Sequence, residues 1–302
     1  MKKALAINCI LGCLIVFFGM SCNESGPSDN ATSGTIKISV DETYRPVMEE
    51  QLKVFLARYP NAHIMAEYKP EADCIQDFFR DSTRLIFITR EFSKEETEYA
   101  LSKQIVAKSM AMARDAIVFI TSRTCSHPDF SMEELKSILS GKDSTLGFEV
   151  VFDNSHSSTV RYVSDSLLGG QKQGAKVYAA KGCTDVIDYV AENPKALGVI
   201  GVSWVADPLD SIADSFLQKV NIAGIRPAGE TGDHYVKPYQ AYIGLREYPC
   251  TRNFYFITKE TWQGLGSGFV NYLCRDGQYV FKTSKMFPLR VNVVLRQADA
   301  RK

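Results

Sequence analysis

The chain has 302 residues, and its 35 lysines and arginines balance its 35 aspartates and glutamates. Without a basic surplus, the sequence gives no reason to expect nucleic acid or an anionic membrane surface as a partner. The four histidines are isolated, so neither a metal site nor a cofactor is expected. The cysteines beyond residue 22 show no CxxC spacing, which argues against a disulfide framework, although one or two disulfides are possible.

The N-terminus has the layout of a bacterial lipoprotein leader. A basic start precedes an apolar run over residues 4–20, and Cys22 follows small residues at the expected cleavage point. The run is too short and interrupted to be the preferred candidate for a membrane-spanning helix. We expect residues 1–21 to be a cleaved signal peptide, Cys22 to carry a lipid on the periplasmic side of the envelope, and residues 22–34 to form a flexible tether. Plain secretion and an uncleaved anchor are the alternatives.

Beyond the tether, predicted strands and helices alternate. Two predicted helices begin with capping boxes, in which Ser93 pairs with Glu96 and Ser131 with Glu134. In chain order we predict a strand at 36–40, a helix at 46–59, a strand at 63–68, a helix at 73–80, a strand at 85–88, a helix at 93–102, a strand at 116–121, a helix at 131–139, a strand at 149–152, a helix from about 159, a helix at 184–191 and a strand at 197–202. This alternation predicts an α/β fold with mostly parallel sheets between helices.

Ligands of such sheets bind where strands end and helices begin. Three loops qualify, at residues 41–43, 89–90 and 154–159. The last loop places three hydroxyl residues at the start of a predicted helix, where backbone N–H groups and the helix dipole favour an oxyanion. An ordinary helix cap that binds nothing is the alternative for this loop.

Several motifs resemble those of the phosphate-binding subunits of bacterial ABC importers, which are type II periplasmic binding proteins. The family's "Asp-Gly-Ile-Ala-Val", "Leu-Thr-x-Glu-Gln-Leu-x-x-Ile-Phe-Ser-Gly-Lys", "Gly-Ser-Gly-Thr", "Asn-Pro-x-Ala-Ile-Gly-Tyr" and "Tyr-Pro-x-Thr-Arg" segments are similar to residues 115–119, 130–142, 156–159, 193–199 and 248–252. The last of these matches without change. The resemblance covers nearly all of residues 34–289.

The resemblance implies an α/β, two-lobed fold in which each lobe is a mostly parallel sheet flanked by helices. One lobe would hold residues 35–117 and 237–302, and the other residues 118–236. An anion would bind in the cleft and be buried when the lobes close. The implied function is a lipid-anchored solute-binding protein that captures inorganic phosphate or a similar tetrahedral oxyanion for an ABC permease, as a monomer, without a cofactor and without enzymatic activity.

The candidate ligand-binding residues are hydroxyl, arginine and carboxylate side chains in the three loops and just beyond them. The hydroxyls would donate hydrogen bonds to the anion, and the arginines could bind its oxygens in bidentate fashion. A carboxylate could accept a hydrogen bond from protonated phosphate, whereas sulfate has no proton to donate, which would discriminate between the two. Caps, surface ion pairs and solvated acids are the alternative interpretations. The candidates are Glu42, Thr43, Arg90, Asp153, Ser157, Ser158, Thr159 and Arg161.

The sequence also departs from the family's pattern. His156 and Ser158 replace both glycines of the anion loop, and Glu42 stands where small residues are usual. These changes leave open a second function, an envelope lipoprotein of the same fold that acts as a sensor or partner with weak or no anion binding. A hydrolase is a remote alternative, because Ser, His and Asp are close together at 153–159 but no Gly-x-Ser-x-Gly motif accompanies them.

Overall fold

A computed structural model describes residues 29–80, 82–142, 145–174, 176–205 and 216–290 of the chain. Its α-helices are α1 Arg45–Arg58, α2 Glu71–Phe78, α3 Lys94–Ser102, α4 Met132–Leu139, α5 Ser158–Tyr162, α6 Cys183–Glu192, α7 Gln240–Leu245, α8 Leu265–Leu273 and α9 Gln278–Thr283. Short 3-10 turns cover Glu42–Tyr44 and Val202–Val205, and a π-helical turn, Val163–Leu167, continues α5.

The strands form one large mixed sheet and a small parallel pair. Their bounds are β1 Gly34–Asp41, β2 Ala62–Lys69, β3 Thr83–Ile88, β4 Lys108–Ser122, β5 Phe130–Ser131, β6 Glu149–Phe152, β7 Val177–Ala179, β8 Ala196–Gly201, β9 Val220–Ile222, β10 Ile225–Arg226, β11 Thr251–Thr258 and β12 Phe287–Pro288. The large sheet has the order β2-β1-β3-β11-β4-β8-β6-β7, with β12 and β9 also pairing with β4, while β5 pairs with β10.

Strand β4 is the element that links two halves of the large sheet. Its first part pairs with β11, and its last part pairs with β8 and β9. The β1 half consists of the strands β1, β2, β3 and β11 and the first part of β4. The β6 half consists of the strands β6, β7, β8 and β9 and the last part of β4. The expected parallel pairing holds for β1 with β2 and β3, and for β6 with β7 and β8, whereas β4 and β11 run antiparallel to their neighbours.

A continuous apolar core fills the space between sheet and helices. In the β1 half, Phe254 of β11 lies against Tyr44, with ring centroids 4.1 Å apart, and opposite Ala113 of β4. Both rings are fully buried, and each buried aromatic side chain contributes on the order of a few kcal/mol to the free energy of folding. This packing brings the loop after β1 next to the long central strands.

The folded part begins earlier than the sequence predicts. Residues 29–34 were assigned to the flexible tether, but the Asp29 carboxylate is buried, pairs with Arg84 at 2.7 Å and accepts a hydrogen bond from the Leu265 N–H. Residues 29–34 are therefore part of the folded chain. Cys22 and residues 1–21 lie outside the described residues. In the described part of the chain, no helix has both the length and the apolar character needed to cross a bilayer.

The predicted helices and strands are found within a few residues of their expected places, with two differences. The strand expected at 116–121 is β4, which starts at Lys108. The helix expected from about residue 159 is the five-residue α5, which passes directly into a π-helical turn. The cysteines Cys74, Cys125, Cys183, Cys250 and Cys274 are all free thiols, so none of the possible disulfides forms among them.

Candidate functional site

The loop after β1 turns sharply into the protein interior. Asp41 caps the 3-10 turn, and its Oδ1 accepts a 2.9 Å hydrogen bond from the Thr43 N–H. The Thr43 carbonyl oxygen accepts a 2.9 Å hydrogen bond from the Ser203 hydroxyl, which lies just beyond β8 in the other half of the sheet. Thr43 is thereby fixed between the two halves and is completely buried.

The hydroxyl side chains of the loop after β6 make two kinds of contact. Ser157 is the N-cap of α5, and its Oγ accepts a 3.3 Å hydrogen bond from the Val160 N–H. Thr159 shares a 2.6 Å hydrogen bond with Ser157 and donates its proton to the Asp153 carboxylate. These two hydroxyls therefore bond within their own loop. Of the three hydroxyls at 157–159, all of which the structure describes, Ser158 alone bonds to the β1 half.

An inner cluster forms where the two loops meet at the central strands. The hydroxyls of Thr43 and Ser158 are 3.2 Å apart and share a hydrogen bond. Arg252 of β11 donates from Nη1 to the Ser158 Oγ at 2.9 Å and from Nε to the Asp115 Oδ2 of β4 at 2.7 Å. We refer to Asp41, Thr43, Asp115, Ser158 and Arg252, all buried, as the inner cluster.

Asp41 lies in one of the three qualifying loops but was not itself a candidate. Two further residues, Asp115 and Arg252, were not candidates on sequence grounds either. The available signal was that each belongs to a motif of the resemblance, at residues 115–119 and 248–252. Neither motif indicates a ligand, because Asp115 and Arg252 themselves lie in strands rather than in loops. Their convergence depends on the pairing of β4 with β11, in which Arg252 lies opposite Asp115.

The inner cluster holds polar atoms whose hydrogen-bonding capacity is not used. Three buried atoms of the inner cluster, Arg252 Nη2, Asp41 Oδ2 and Asp115 Oδ1, have no hydrogen-bond partner among the described residues. Burial and the charge of Glu71 raise the pKa of Asp41 to about 6, against the opposing charge of Arg252. One unused donor and two unused acceptors thus lie in one buried cluster, and leaving such groups unsatisfied costs about 1–3 kcal/mol each.

An outer cluster lies beside the inner one, nearer to solvent. The Glu71 Oε1 accepts hydrogen bonds from the backbone N–H and the hydroxyl of Thr89, and its Oε2 accepts from the Arg161 Nε at 2.6 Å. The Arg161 Nη2 donates to the Thr89 Oγ1 at 2.6 Å. We refer to Glu71, Thr89 and Arg161 as the outer cluster. Glu71 was not a candidate on sequence grounds, although it follows the end of β2 as the other loops follow their strands.

The remaining candidates have partners of their own. Arg90 binds both oxygens of Glu96 through Nη1 and Nη2, and Glu42 is paired with Arg45 at 3.2 Å. Burial raises the pKa of Asp153, against the hydrogen bonds that it receives from Thr159 and Ser157.

The Ser, His and Asp residues of this loop do not form a catalytic triad. The exposed His156 ring contacts the Ser155 hydroxyl at 3.4 Å, whereas the buried Asp153 carboxylate bonds to Thr159. The part of the chain that the structure describes also contains no group of three or more His, Cys, Asp or Glu side chains arranged to hold a metal ion.

A solvent-connected cavity of about 190 Å³ opens over the outer cluster. It lies between the start of α2, at residues 71–75, and the segment 155–161, with Arg90 at its edge. The cavity therefore gives access from solvent to Glu71 and Arg161, at the line where the two halves of the sheet face each other.

Comparison with known proteins agrees with this architecture. The model of the PBP superfamily domain matches residues 25–276. The chain resembles a putative phosphate ABC transporter substrate-binding protein with bound phosphate from Clostridium perfringens, with a TM-score of 0.71 and 18% identity over 85% of this chain and 100% of that chain.

Two further structures are similar. For an ABC-type phosphate transport receptor from Vibrio cholerae the TM-score is 0.63 and the identity 14%, over 84% of this chain and 100% of that chain. For a possible phosphate binding protein from Planctomyces limnophilus the values are 0.57 and 16%, over 85% and 93%. No curated protein matches the chain significantly in sequence. The expected type II periplasmic binding protein fold is therefore confirmed, and the chain belongs to the PBP superfamily.

Proposed function

We propose that the chain is an extracytoplasmic solute-binding protein that captures inorganic phosphate, or a similar tetrahedral oxyanion, between the two halves of its sheet. The observation that carries the proposal is that the unused donor of Arg252 and the unused acceptor of Asp41 belong to the same buried cluster. A protonated oxyanion satisfies both, because it accepts a hydrogen bond from the guanidinium and donates its own proton to the carboxylate. The phosphate-related names of the similar structures support the same ligand class.

For the ligand to enter, the two halves of the molecule must first move apart. The Thr43 and Ser158 oxygens are 3.2 Å apart, which leaves no room for an anion between them. We propose that residues 35–117 with 237–302 form one lobe and residues 118–236 the other, and that they hinge where β4 passes from one half to the other. Closure then buries the anion against the inner cluster, where the low dielectric strengthens each of its hydrogen bonds.

Calorimetric titration with phosphate and with sulfate tests this function. The soluble chain from residue 23 onward is suitable, because it retains every contact described above. We expect one phosphate to bind per chain and sulfate to bind more weakly, since sulfate cannot donate a proton to Asp41. Equal heats for the two anions, or no heat with millimolar phosphate, would contradict the proposal.

A second function, a binding-protein-like sensor or envelope partner with weak anion binding, is favoured by one specific observation. The Glu71 carboxylate already occupies the donors of Thr89 and Arg161 that the sequence offers to an anion. The same titration separates the two functions, because a sensor of this kind gives at most weak heats with either anion.

We further propose that the protein works on the periplasmic side of the cell envelope as a lipid-anchored partner of an ABC permease. The leader-like N-terminus supports lipidation at Cys22, and the transporter names of the similar structures support the permease. A Cys22→Ser variant should lose its membrane association and accumulate as precursor or soluble protein. If it fractionates with membranes as the wild type does, the lipoprotein assignment is wrong.

A further inference from the structure

The outer cluster contains an anion that the chain itself supplies. Glu71 is 2% exposed, and each of its two carboxylate oxygens accepts at least one hydrogen bond. Its donors are a backbone N–H, a hydroxyl and a guanidinium, which are the groups that proteins use to hold free oxyanions. The local geometry is therefore that of an occupied oxyanion subsite.

The occupant and one of its donors come from opposite halves of the sheet. Glu71 begins α2 after β2, and Thr89 follows β3, so both belong to the β1 half. Arg161 lies on α5, after β6, in the other half. The bond between Glu71 and Arg161 consequently joins the two halves, and Arg161 reinforces it by donating to Thr89 as well.

The bond between Glu71 and Arg161 is an ion pair at neutral pH. Burial alone would raise the pKa of Glu71, but the charge and hydrogen bond of Arg161, together with the hydrogen bonds of Thr89, hold that pKa below its ordinary value. Glu71 is therefore ionised, and it repels a second anion from the same donors. The Arg90 Nε also lies 3.8 Å from the Glu71 Oε2, but Arg90 follows β3 in the same half as Glu71. Glu96 binds both Nη atoms of Arg90, so Arg90 does not replace Arg161 in joining the halves.

The cavity beside the outer cluster gives a free anion a route to this position. Its walls include Glu71, Arg161 and the loop that carries Ser155 and Ser157. An anion arriving through it meets the guanidinium of Arg161 with the Glu71 carboxylate already bound there. Binding at this place is then a displacement of one carboxylate by another anion.

We propose that Glu71 is a built-in anion that occupies an outer carboxylate-binding subsite and holds the two halves together in the absence of a ligand. Once Glu71 is removed, the subsite takes a small carboxylate such as formate from solution. Capture of phosphate at the inner cluster, which is the part that rests on the proposed function, competes with this internal bond because a bound anion keeps the halves farther apart than the bond between Glu71 and Arg161 allows.

Small-angle scattering of the Glu71→Ala variant, with formate as the probe, tests the proposal. We expect the ligand-free variant to have a larger radius of gyration than the wild type, and formate to restore the smaller value by filling the emptied subsite. The matched control is Asp73→Ala, which removes an exposed carboxylate from the same helical turn and should leave the radius unchanged. If the Glu71→Ala variant is as compact as the wild type, or expands without any response to formate, the proposal is wrong.

A second variant keeps the proposal testable where Glu71→Ala does not fold. Arg161→Gln removes the contact from the opposite half and leaves Glu71 bonded to Thr89, so it should also expand the ligand-free protein. A folded Arg161→Gln variant that is as compact as the wild type would overturn the proposal.

Phosphate titration of the same proteins separates this inference from the proposed function. If both are right, phosphate binds Glu71→Ala roughly tenfold more tightly than the wild type, or better, because no internal bond has to be broken. Failure of both proteins to bind phosphate, with formate-dependent compaction still present, would refute the function and uphold the internal anion. Equal phosphate affinity of the two proteins would refute the competition that we infer.

Discussion

Thr43 and Ser158 lie 115 positions apart in the chain, yet their hydroxyls share a hydrogen bond of 3.2 Å. One follows β1 and the other begins α5 after β6, so the bond joins the two halves of the sheet. Arg252, which donates to the same Ser158 hydroxyl, anchors this contact to the central strands β4 and β11. The contact is therefore present only when the two halves are closed against each other. It also marks the place at which a ligand would have to enter.

Loss of the Ser158 hydroxyl should weaken anion binding. In a Ser158→Ala variant we expect the phosphate affinity to fall about 10- to 100-fold, because a hydrogen bond to a charged group is worth about 1.5–3 kcal/mol. Ser155→Ala is the matched control, since Ser155 is exposed in the same loop and should bind phosphate as the wild type does. Calorimetry measures both affinities, and an unchanged affinity of Ser158→Ala would exclude the inner cluster as the site.

Gly201 at the end of β8 allows the two halves to approach each other. A Cβ at this position would come within 2.3 Å of the Thr43 Cγ2, whereas a Cβ at Gly182 would lie 3.6 Å from the Glu42 Oε1, an ordinary contact. We expect Gly201→Ala to act as a wedge that enlarges the radius of gyration in scattering and lowers phosphate affinity. Gly182→Ala should change neither quantity. A compact Gly201→Ala protein with normal affinity would show that this contact does not control closure.

The pair of Arg252 and Asp115 should be important for stability. In an Arg252→Met variant the Asp115 carboxylate stays buried without its cation, and removing one partner of a buried pair typically costs about 3–5 kcal/mol. Urea unfolding measures the loss. Adding Asp115→Asn to Arg252→Met should recover part of it, because an amide is cheaper to bury than a charge. If Arg252→Met is as stable as the wild type, the pair does not contribute as its burial suggests.

The stability of the protein should depend on pH through Asp41. Because the pKa of Asp41 is raised from 3.8 to about 6, the protonated carboxyl favours the folded state, and this contribution is complete below about pH 4 and is lost as the pH rises through 6. The pKa of Glu71 is instead lowered, so its own contribution to stability has the opposite dependence on pH. Relative to Asp41→Asn, the free energy of unfolding of the wild type should fall by up to about 3 kcal/mol between pH 4 and pH 7, at 1.36 kcal/mol per unit of pKa shift.

Urea unfolding of both proteins at several pH values supplies this comparison. Groups that titrate in both proteins, such as Asp153, cancel in the difference. A difference that stays constant from pH 4 to pH 7 would mean that Asp41 has an ordinary pKa in the folded protein.

Much of the fold follows from local patterns in the sequence. The capping boxes of Ser93 with Glu96 and of Ser131 with Glu134 are both formed, because all their hydrogen bonds lie within one helical turn. The first part of β4 was not predicted, since its small and unbranched side chains have weak strand preference. Its strand conformation comes from pairing with β11, where Ala113 lies opposite Phe254.

The candidate site was less accessible to sequence analysis, for a related reason. The loop 154–159 was recognised as hydroxyl-rich, but which hydroxyl caps the helix and which faces the other half depends on backbone direction. Ser157 became the cap and Ser158 the cross-sheet contact. The positions of Glu71 and Arg252 in the two clusters arise from tertiary packing. Contacts between residues so far apart in the chain cannot be predicted from local residue spacing.

The most direct test of this account is a crystal structure of the chain grown with phosphate in the absence of sulfate. We predict a phosphate ion between the two halves, with one oxygen about 3 Å from the Arg252 Nη2, as in ordinary hydrogen bonds. Its protonated oxygen should face Asp41, and the Thr43 and Ser158 hydroxyls should be farther apart than the 3.2 Å of the ligand-free protein. Crystals at saturating phosphate in which these two hydroxyls remain bonded to each other and no anion contacts Arg252 would contradict the account.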